Sequence, residues 1–351
     1  MTIKKTSMAL IASTLLTTTL LAREQIKIVG SSTVYPFSSS VAEEFGATTK
    51  FPTPVVESTG TGGGMKLFCS GVDLNTPDIA NASRRMKTTE FAMCQENGVT
   101  NITEALIGFD GIAIAQSSQV KTFNVTKEQL ALAVAQEVPS TDKKSLIANP
   151  YKKWSDIDKS LPSRDIIVYG PPKSSGTRDS FEELVLQSVF GKMATYTDLY
   201  KKDEKANKKY KKYSVIRTDG AYVESGENDN LIVQKLTKNE AAIGVFGYSF
   251  LAENKDKVVG LSIDNTMPTT ETISEGKYPI ARSMYFYIKN DHLKSVPTLK
   301  AYSNLFMSEK MIADDGILTE LGLIPLSEKE REQARAKVIN SEKLTLDQLK
   351  H

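Results

Sequence analysis

The chain has 351 residues, 40% of them hydrophobic and 25% charged, which is the composition of a globular protein long enough for two domains of common size. Lysine and arginine number 44 against 42 acidic residues, a formal net charge of +2. That near balance excludes the cationic footprint of a nucleic-acid binder, and two histidines with two cysteines leave little for a metal centre.

Residues 1–22 read "MTIKKTSMALIASTLLTTTLLA": two lysines, a short apolar run rich in Thr and Ser, then a small residue. This is the layout of a secretory signal peptide, cleaved near Ala22, and the run is too short and too polar for a good membrane span. Losing Lys4 and Lys5 takes the formal charge from +2 to 0. The expected product is exported, soluble and periplasmic. Export favours a disulfide between Cys69 and Cys94, over two separate buried thiols. A loop of that size gains about 3–4 kcal/mol from such a bridge in the chain-entropy picture.

"QIKIVGSST" predicts a strand over 25–29 that runs into a Gly-Ser-Ser-Thr turn, and "YPFSSSVAEEFG" a helix with Pro36 in its first turn. "TPVVEST" is a second strand, and "GTGGGMKLFCSG" a glycine-rich loop feeding another helix. "PDIANASRRM" is a third strand ending in Ser and Arg, and "IGFDGIAIAQ" is a run of buried-strand type. The pattern then repeats in kind: "RDIIVYG" is a strand, "DSFEELVLQSVFG" a helix, and "YPIARSMYFYIKN" a long aromatic strand. "SVPTLKAYSNLFMS" is helical. Strands alternating with helices predict an α/β fold with a mostly parallel sheet and a site at the carboxyl ends of its strands. The run "KKDEKANKKYKKY" at 201–213, with seven lysines and two acids, reads as a solvated insertion or helix face.

"GPPKSSGTRDSFEE" at 170–183 sets small hydrogen-bonding residues directly before a helix. A helix start offers unpaired N–H groups and partial positive charge to an anion. Ser175, Gly176 and Thr177 add hydroxyls and close backbone approach, and Arg178 a charged fork. Plain N-capping explains any one such stretch. "GSST" at 30–33, "STGTGGG" at 58–64 and "ASRRM" at 82–86 repeat the chemistry at other strand ends. Their recurrence predicts one small oxyanion held by many neutral donors.

In "GSSTVYPF", "STGTGGGMK", "NASRRM", "GPPKSSGTRDSF" and "AAIGVFGYSF", taken in order, the chain resembles the periplasmic phosphate-binding proteins of ABC-type phosphate importers. The resemblance implies a two-lobed binding-protein fold of type II-like topology, with two crossing hinge strands near "IGFDGIAIA" and "YPIARSMYFYI". The lobes are then 23–112 plus 285–351, and 113–284. It implies a monomer that closes on phosphate, delivers it to membrane permease subunits, needs no cofactor and is no enzyme. Carried over residue by residue, the ligands fall on Thr33 and Val34 with Ser32 beside them, on Thr61 with Ser58 close by, and on Ser175, Gly176 and Thr177.

Two positions depart from the family. Pro171 stands where the family arginine lies, which makes Arg178 the substitute. Arg84 stands where the family aspartate accepts the phosphate proton, so Arg84 becomes a direct partner for the anion and Asp110 the candidate acceptor, the rival readings being that Asp110 pairs with Arg84 or Arg178 or caps a turn. These exchanges leave sulfate or another oxyanion as the alternative ligand. A phosphatase-like secreted hydrolase is the enzyme alternative. It lacks a base, because neither His292 nor His351 sits in a motif that would place it beside a strand-end serine. "GTGGGMKL" fails as an NTPase phosphate loop, with Met65 and Leu67 at two required positions.

Overall fold

A computed structural model describes residues 23–201, 215–226 and 228–350. The signal-peptide segment, all but the first residue of the lysine-rich run, and His351 lie outside the described residues.

The first half alternates short strands and helices: β1 (Lys27–Gly30), α1 (Tyr35–Thr48), β2 (Val55–Ser58), α2 (Thr61–Phe68), β3 (Ile79–Ala82) and α3 (Thr88–Glu96). β1 pairs in parallel with both β2 and β3, so all three strands point their carboxyl ends at one edge. Pro36 sits in the first turn of α1, where its missing N–H costs nothing. The glycine-rich stretch is not a loop: "TGGGMKLF" is α2 itself, started by Gly60 at φ +72°. Gly64 has to lack a side chain because a Cβ there would lie 2.5 Å from the Cα of Gly30, so helix and strand meet backbone to backbone. A disulfide joins Cys69, just past α2, to Cys94 on α3, with Cα atoms 4.2 Å apart.

β4 (Ile102–Ser117) is buried along almost its whole length, as its apolar run predicts. The strands that follow are β5 (Asn124–Val125), the paired β6 (Glu137–Pro139) and β7 (Leu146–Ala148), β8 (Val168–Gly170), β9 (Tyr222–Glu224), β10 (Ile243–Gly247), β11 (Val258–Gly260), β12 (Ser262–Ile263) and β13 (Ala281–Lys289). Among the described residues one nine-stranded sheet runs β2-β1-β3-β13-β4-β10-β8-β9, with β11 also on β4. β4 belongs to both halves: residues 102–111 pair antiparallel with β13, and residues 112–117 pair with β10 and β11. The two segments expected to cross between lobes are thus adjacent strands.

The second half adds α4 (Lys127–Val134), α5 (Trp154–Ile157) and α6 (Gly176–Phe181). α6 passes into a π-helical turn at Glu182–Gln187, and buries Phe181, Val185 and Leu186. Helices at Thr298–Phe306 and Glu328–Ile339 return to the first half. Between these two helices, Ile324 exchanges backbone hydrogen bonds with Phe109 of β4, at 2.8 and 3.0 Å. Gly108, at φ +151°, accommodates this third pass: a Cβ there would sit 2.6 Å from the Ile324 carbonyl.

Candidate functional site

The carboxyl ends of β1, β2 and β3 open onto one cleft, as parallel α/β topology requires. After β1 the chain turns sharply at Gly30, whose φ of +135° and closeness to the Asn81 backbone exclude any side chain. Ser31, Ser32 and Thr33 follow and line the cleft. After β2, Thr61 opens α2; its Oγ1 accepts the Ser83 N–H at 3.1 Å and lies 3.1 Å from the Ser83 hydroxyl at the end of β3. These strand ends thus bring Thr61 into contact with Ser83 and set both in one cavity wall with Ser32 and Thr33.

The second half meets them through α6. Thr33 Oγ1 is 3.2 Å from Ser180 Oγ, and Ser32 donates to Asp179 at 3.1 Å. Gly176 lies so near that a Cβ would be 3.4 Å from the Ser32 carbonyl. The main cavity, about 770 Å³, contains Ser32, Thr33, Thr61, Ser83, Arg84 and Arg282 in its wall. A smaller one of about 140 Å³ adjoins it, lined by Thr33, Asp110, Gly176, Thr177 and Ser180 among others. Thr33 belongs to both.

Arg282, at the start of β13, is the charged centre of this arrangement and is nearly buried, with 7% of its side chain exposed. Its Nη2 donates to Thr33 Oγ1 at 2.5 Å and also to Ser180 Oγ. Nη1 donates to Glu183 at 2.7 Å, and Nε reaches Asp110 Oδ2 at 3.4 Å. Asp110 in turn accepts from Ser180 Oγ at 3.1 Å. One guanidinium therefore touches the first half, both joining strands and the second half. Sequence reasoning missed Arg282, Ser180 and Glu183, and noted Ser83 only within "ASRRM" without making it a ligand. The available signal was a lone arginine opening an otherwise aromatic strand, "ARSMYFY".

Several expected ligands lie elsewhere. Arg178 is not the cleft's charged fork. It is 2% exposed, bonded to Glu182 at 2.7 Å and to the Pro171 carbonyl at 3.2 Å, with its guanidinium 4.6 Å from the Tyr222 ring centre. As the third residue of α6 it points off the helix side rather than toward its start. Arg84 lines the cleft, but its guanidinium grips Glu90 at 2.7 and 2.8 Å. That pairing, with Glu183 adding to it, holds the Arg84 guanidinium above its ordinary value. Burial raises the Glu90 carboxyl, but the bonds from Arg84 and the Lys87 N–H outweigh it and leave the group below its usual range. Val34 is fully buried, and its N–H is directed to Ser31 Oγ at 3.4 Å. Ser58 is exposed at the end of β2 and lines neither cavity. Ser175 stands at the N-cap position of α6 without a side-chain capping bond, nearly buried and outside both linings.

His292 is far from this chemistry. Its ring is buried, with Nδ1 2.6 Å from Asp78 and Nε2 3.0 Å from the Val72 carbonyl.

Two halves sharing β4, with hydroxyls and Arg282 at the seam, define a two-lobed binding protein with a polar cleft. The chain belongs to the PBP superfamily: the profile of the PBP superfamily domain matches residues 17–310. Protein SphX of Synechococcus elongatus is 30% identical over 306 residues, which cover 86% of this chain and 77% of that protein. Phosphate-binding protein PstS of Staphylococcus saprophyticus is 29% identical over 321 residues, covering 90% and 84%. Among solved structures, a possible phosphate binding protein from Planctomyces limnophilus matches with a TM-score of 0.72 and 26% identity, over 92% of this chain and 100% of that one.

Proposed function

We propose that this chain binds inorganic phosphate between its two halves and delivers it to the membrane subunits of an ABC importer. It is a receptor rather than an enzyme. The observation that carries this reading is that Thr33, Thr61, Ser83 and Arg282 share one cavity wall, with Arg282 bonded to the hydroxyls of Thr33 and Ser180. Neutral donors in number suit an anion that must be held tightly and still released, because each hydrogen bond to a charged oxygen is worth only about 1.5–3 kcal/mol. Gly176 and Thr177, with Ser175 behind them, present the start of α6 from the other side. Asp110 is the carboxylate available to accept the proton that phosphate keeps and sulfate lacks. The relatives named for phosphate binding support the same ligand.

The protein works as a monomer, exported after cleavage near Ala22, with lobes of 23–112 plus 285–351 and 113–284. No helix among the described residues is long and apolar enough to cross a membrane. Calorimetric titration with phosphate, sulfate and arsenate tests the reading, and phosphate bound in preference to sulfate is the expected outcome. Incubation with phosphate esters is expected to give no turnover. A parent protein that takes up sulfate as tightly as phosphate overturns the ligand assignment.

A further inference from the structure

Arg282 has one feature that a simple anion cradle does not need. Its guanidinium faces two carboxylates, Asp110 at 3.4 Å and Glu183 at 2.7 Å. One positive charge between two negative ones leaves the seam locally negative, which opposes the entry of a further anion. The two carboxylates differ in how firmly they are held. Asp110 sits on β4 with 17% of its side chain exposed and also accepts from Ser180. Glu183 is 52% exposed, projects from the π-helical turn after α6, and lines the larger cavity with Arg282.

We propose that Arg282 is the cation that grips the bound anion, and that Glu183 competes with the anion for it and must swing into solvent as phosphate binds. This rests on the phosphate reading above. A phosphate oxygen approaching Nη1 from the cavity meets the Glu183 carboxylate on the same N–H. Nη2 stays with Thr33 and Ser180 and Nε with Asp110, so the exchange takes place at Nη1 alone, where a phosphate oxygen makes the same charge-assisted bond that Glu183 makes. An ion pair with a half-exposed partner contributes little, so a dianion displaces it readily. Asp110 stays, holding Nε and presenting an acceptor for the phosphate proton. Release is the reverse: Glu183 returns to Nη1 and helps free the anion, a useful property in a receptor that must give up its cargo.

Calorimetric titration with inorganic phosphate at pH 8 tests this on the full mature chain, in four proteins: the parent, Glu183→Gln, Arg282→Met and the double variant. Removing the competing charge in Glu183→Gln is expected to tighten binding by about two- to five-fold, the range set by a partly exposed ion pair. Arg282→Met is expected to weaken it about ten-fold or more. In the double variant the gain from Glu183→Gln disappears, because there is no guanidinium left to compete for. Glu183 is half exposed, so its variant remains informative even if Arg282→Met does not fold. A parent that binds phosphate while Glu183→Gln binds it equally or more weakly overturns this proposal and leaves the phosphate reading standing. A parent that does not bind phosphate overturns both.

Discussion

Asp110 and Arg282 are register partners on the adjacent strands β4 and β13, with Nε and Oδ2 3.4 Å apart. Asp110 is the one charged residue of β4's middle stretch, between Gly108 and Gly111. At pH 8 phosphate still carries a proton, which a carboxylate can accept, whereas sulfate offers that carboxylate only repulsion. Asp110→Asn is therefore expected to narrow the preference for phosphate over sulfate by about ten-fold or more, since an amide donates to either anion. Titration of both anions checks it. A folded variant that still rejects sulfate as strongly as the parent removes Asp110 from this role.

Thr177→Val tests the start of α6. Thr177 lines the smaller cavity beside Asp110 and Ser180. Loss of one hydroxyl donor to a charged oxygen is expected to weaken phosphate binding about ten-fold with the melting temperature almost unchanged. Unchanged affinity takes the hydroxyl out of the site.

Arg178, one residue along, is expected to behave in the opposite way. Its guanidinium is buried against Glu182, the Pro171 carbonyl and the face of Tyr222. Arg178→Met should lower unfolding stability by about 1.5–3 kcal/mol through lost charged hydrogen bonds. Phosphate affinity of the folded fraction should stay within about two-fold, because the guanidinium lies outside the cleft lining. Denaturant melts and titrations on the same sample separate the two effects.

The Cys69–Cys94 bridge closes a loop of sequence separation 25 across α2 and α3. Replacing both cysteines by alanine is expected to cost about 3–4 kcal/mol of stability in the loop-entropy picture, seen as a lower denaturant midpoint. Thr61 stands at the far end of α2 from Cys69, so binding at 25 °C should persist. Loss of binding in a still-folded variant contradicts this.

Lys289 gives the fold a pH dependence. Its buried Nζ donates to the Gly71 carbonyl and to Thr76 Oγ1, both at 2.7 Å. Burial lowers its pKa from 10.5 to about 8, against the pull of Asp78 and Asp291. Between about pH 8 and 10.5 the unfolded chain therefore holds a proton that the fold lacks, so stability rises with pH across that window. Lys289→Met removes this contribution. From pH 7 to pH 10.5 the parent should gain roughly 3 kcal/mol relative to the variant, measured by urea unfolding at each pH. A constant difference rules the linkage out.

Much of the architecture was legible because local signals and tertiary outcome agree. Apolar runs ending in Gly-Ser-Thr clusters became parallel strands whose ends meet, and "IGFDGIAIAQ" became the strand shared by both halves. Ser32, Thr33 and Thr61 were legible because they follow strand ends, whereas Ser58 ends β2 outside the cleft and Ser180 lies within α6, where no strand end points to it. The charges were not. Arg178 adjoins the Ser-Gly-Thr triplet in sequence, but helical rotation turns it toward Tyr222. Arg84 finds Glu90 one helical turn into the next element. Arg282 meets Asp110, 172 residues away, only through the pairing of β13 with β4, a register that no local pattern announces. The glycine-rich stretch misled differently: glycines discourage helix in isolation, yet here they let α2 lie directly on β1.

The position of Asp110 and Arg282 on the joining strands has a mechanical consequence. When two bodies turn about a common axis, points on the axis scarcely move and points far from it sweep the widest arcs. On the lobe division proposed above, with crossings near residues 112 and 284, Asp110 and Arg282 sit beside the axle, while Thr177, Ser180 and Glu183 belong to the arm. If the lobes close as that division implies, a ligand meets the same paired charges at every angle of the jaws, and the hydroxyls and the carboxylate of the arm are what register that they have shut.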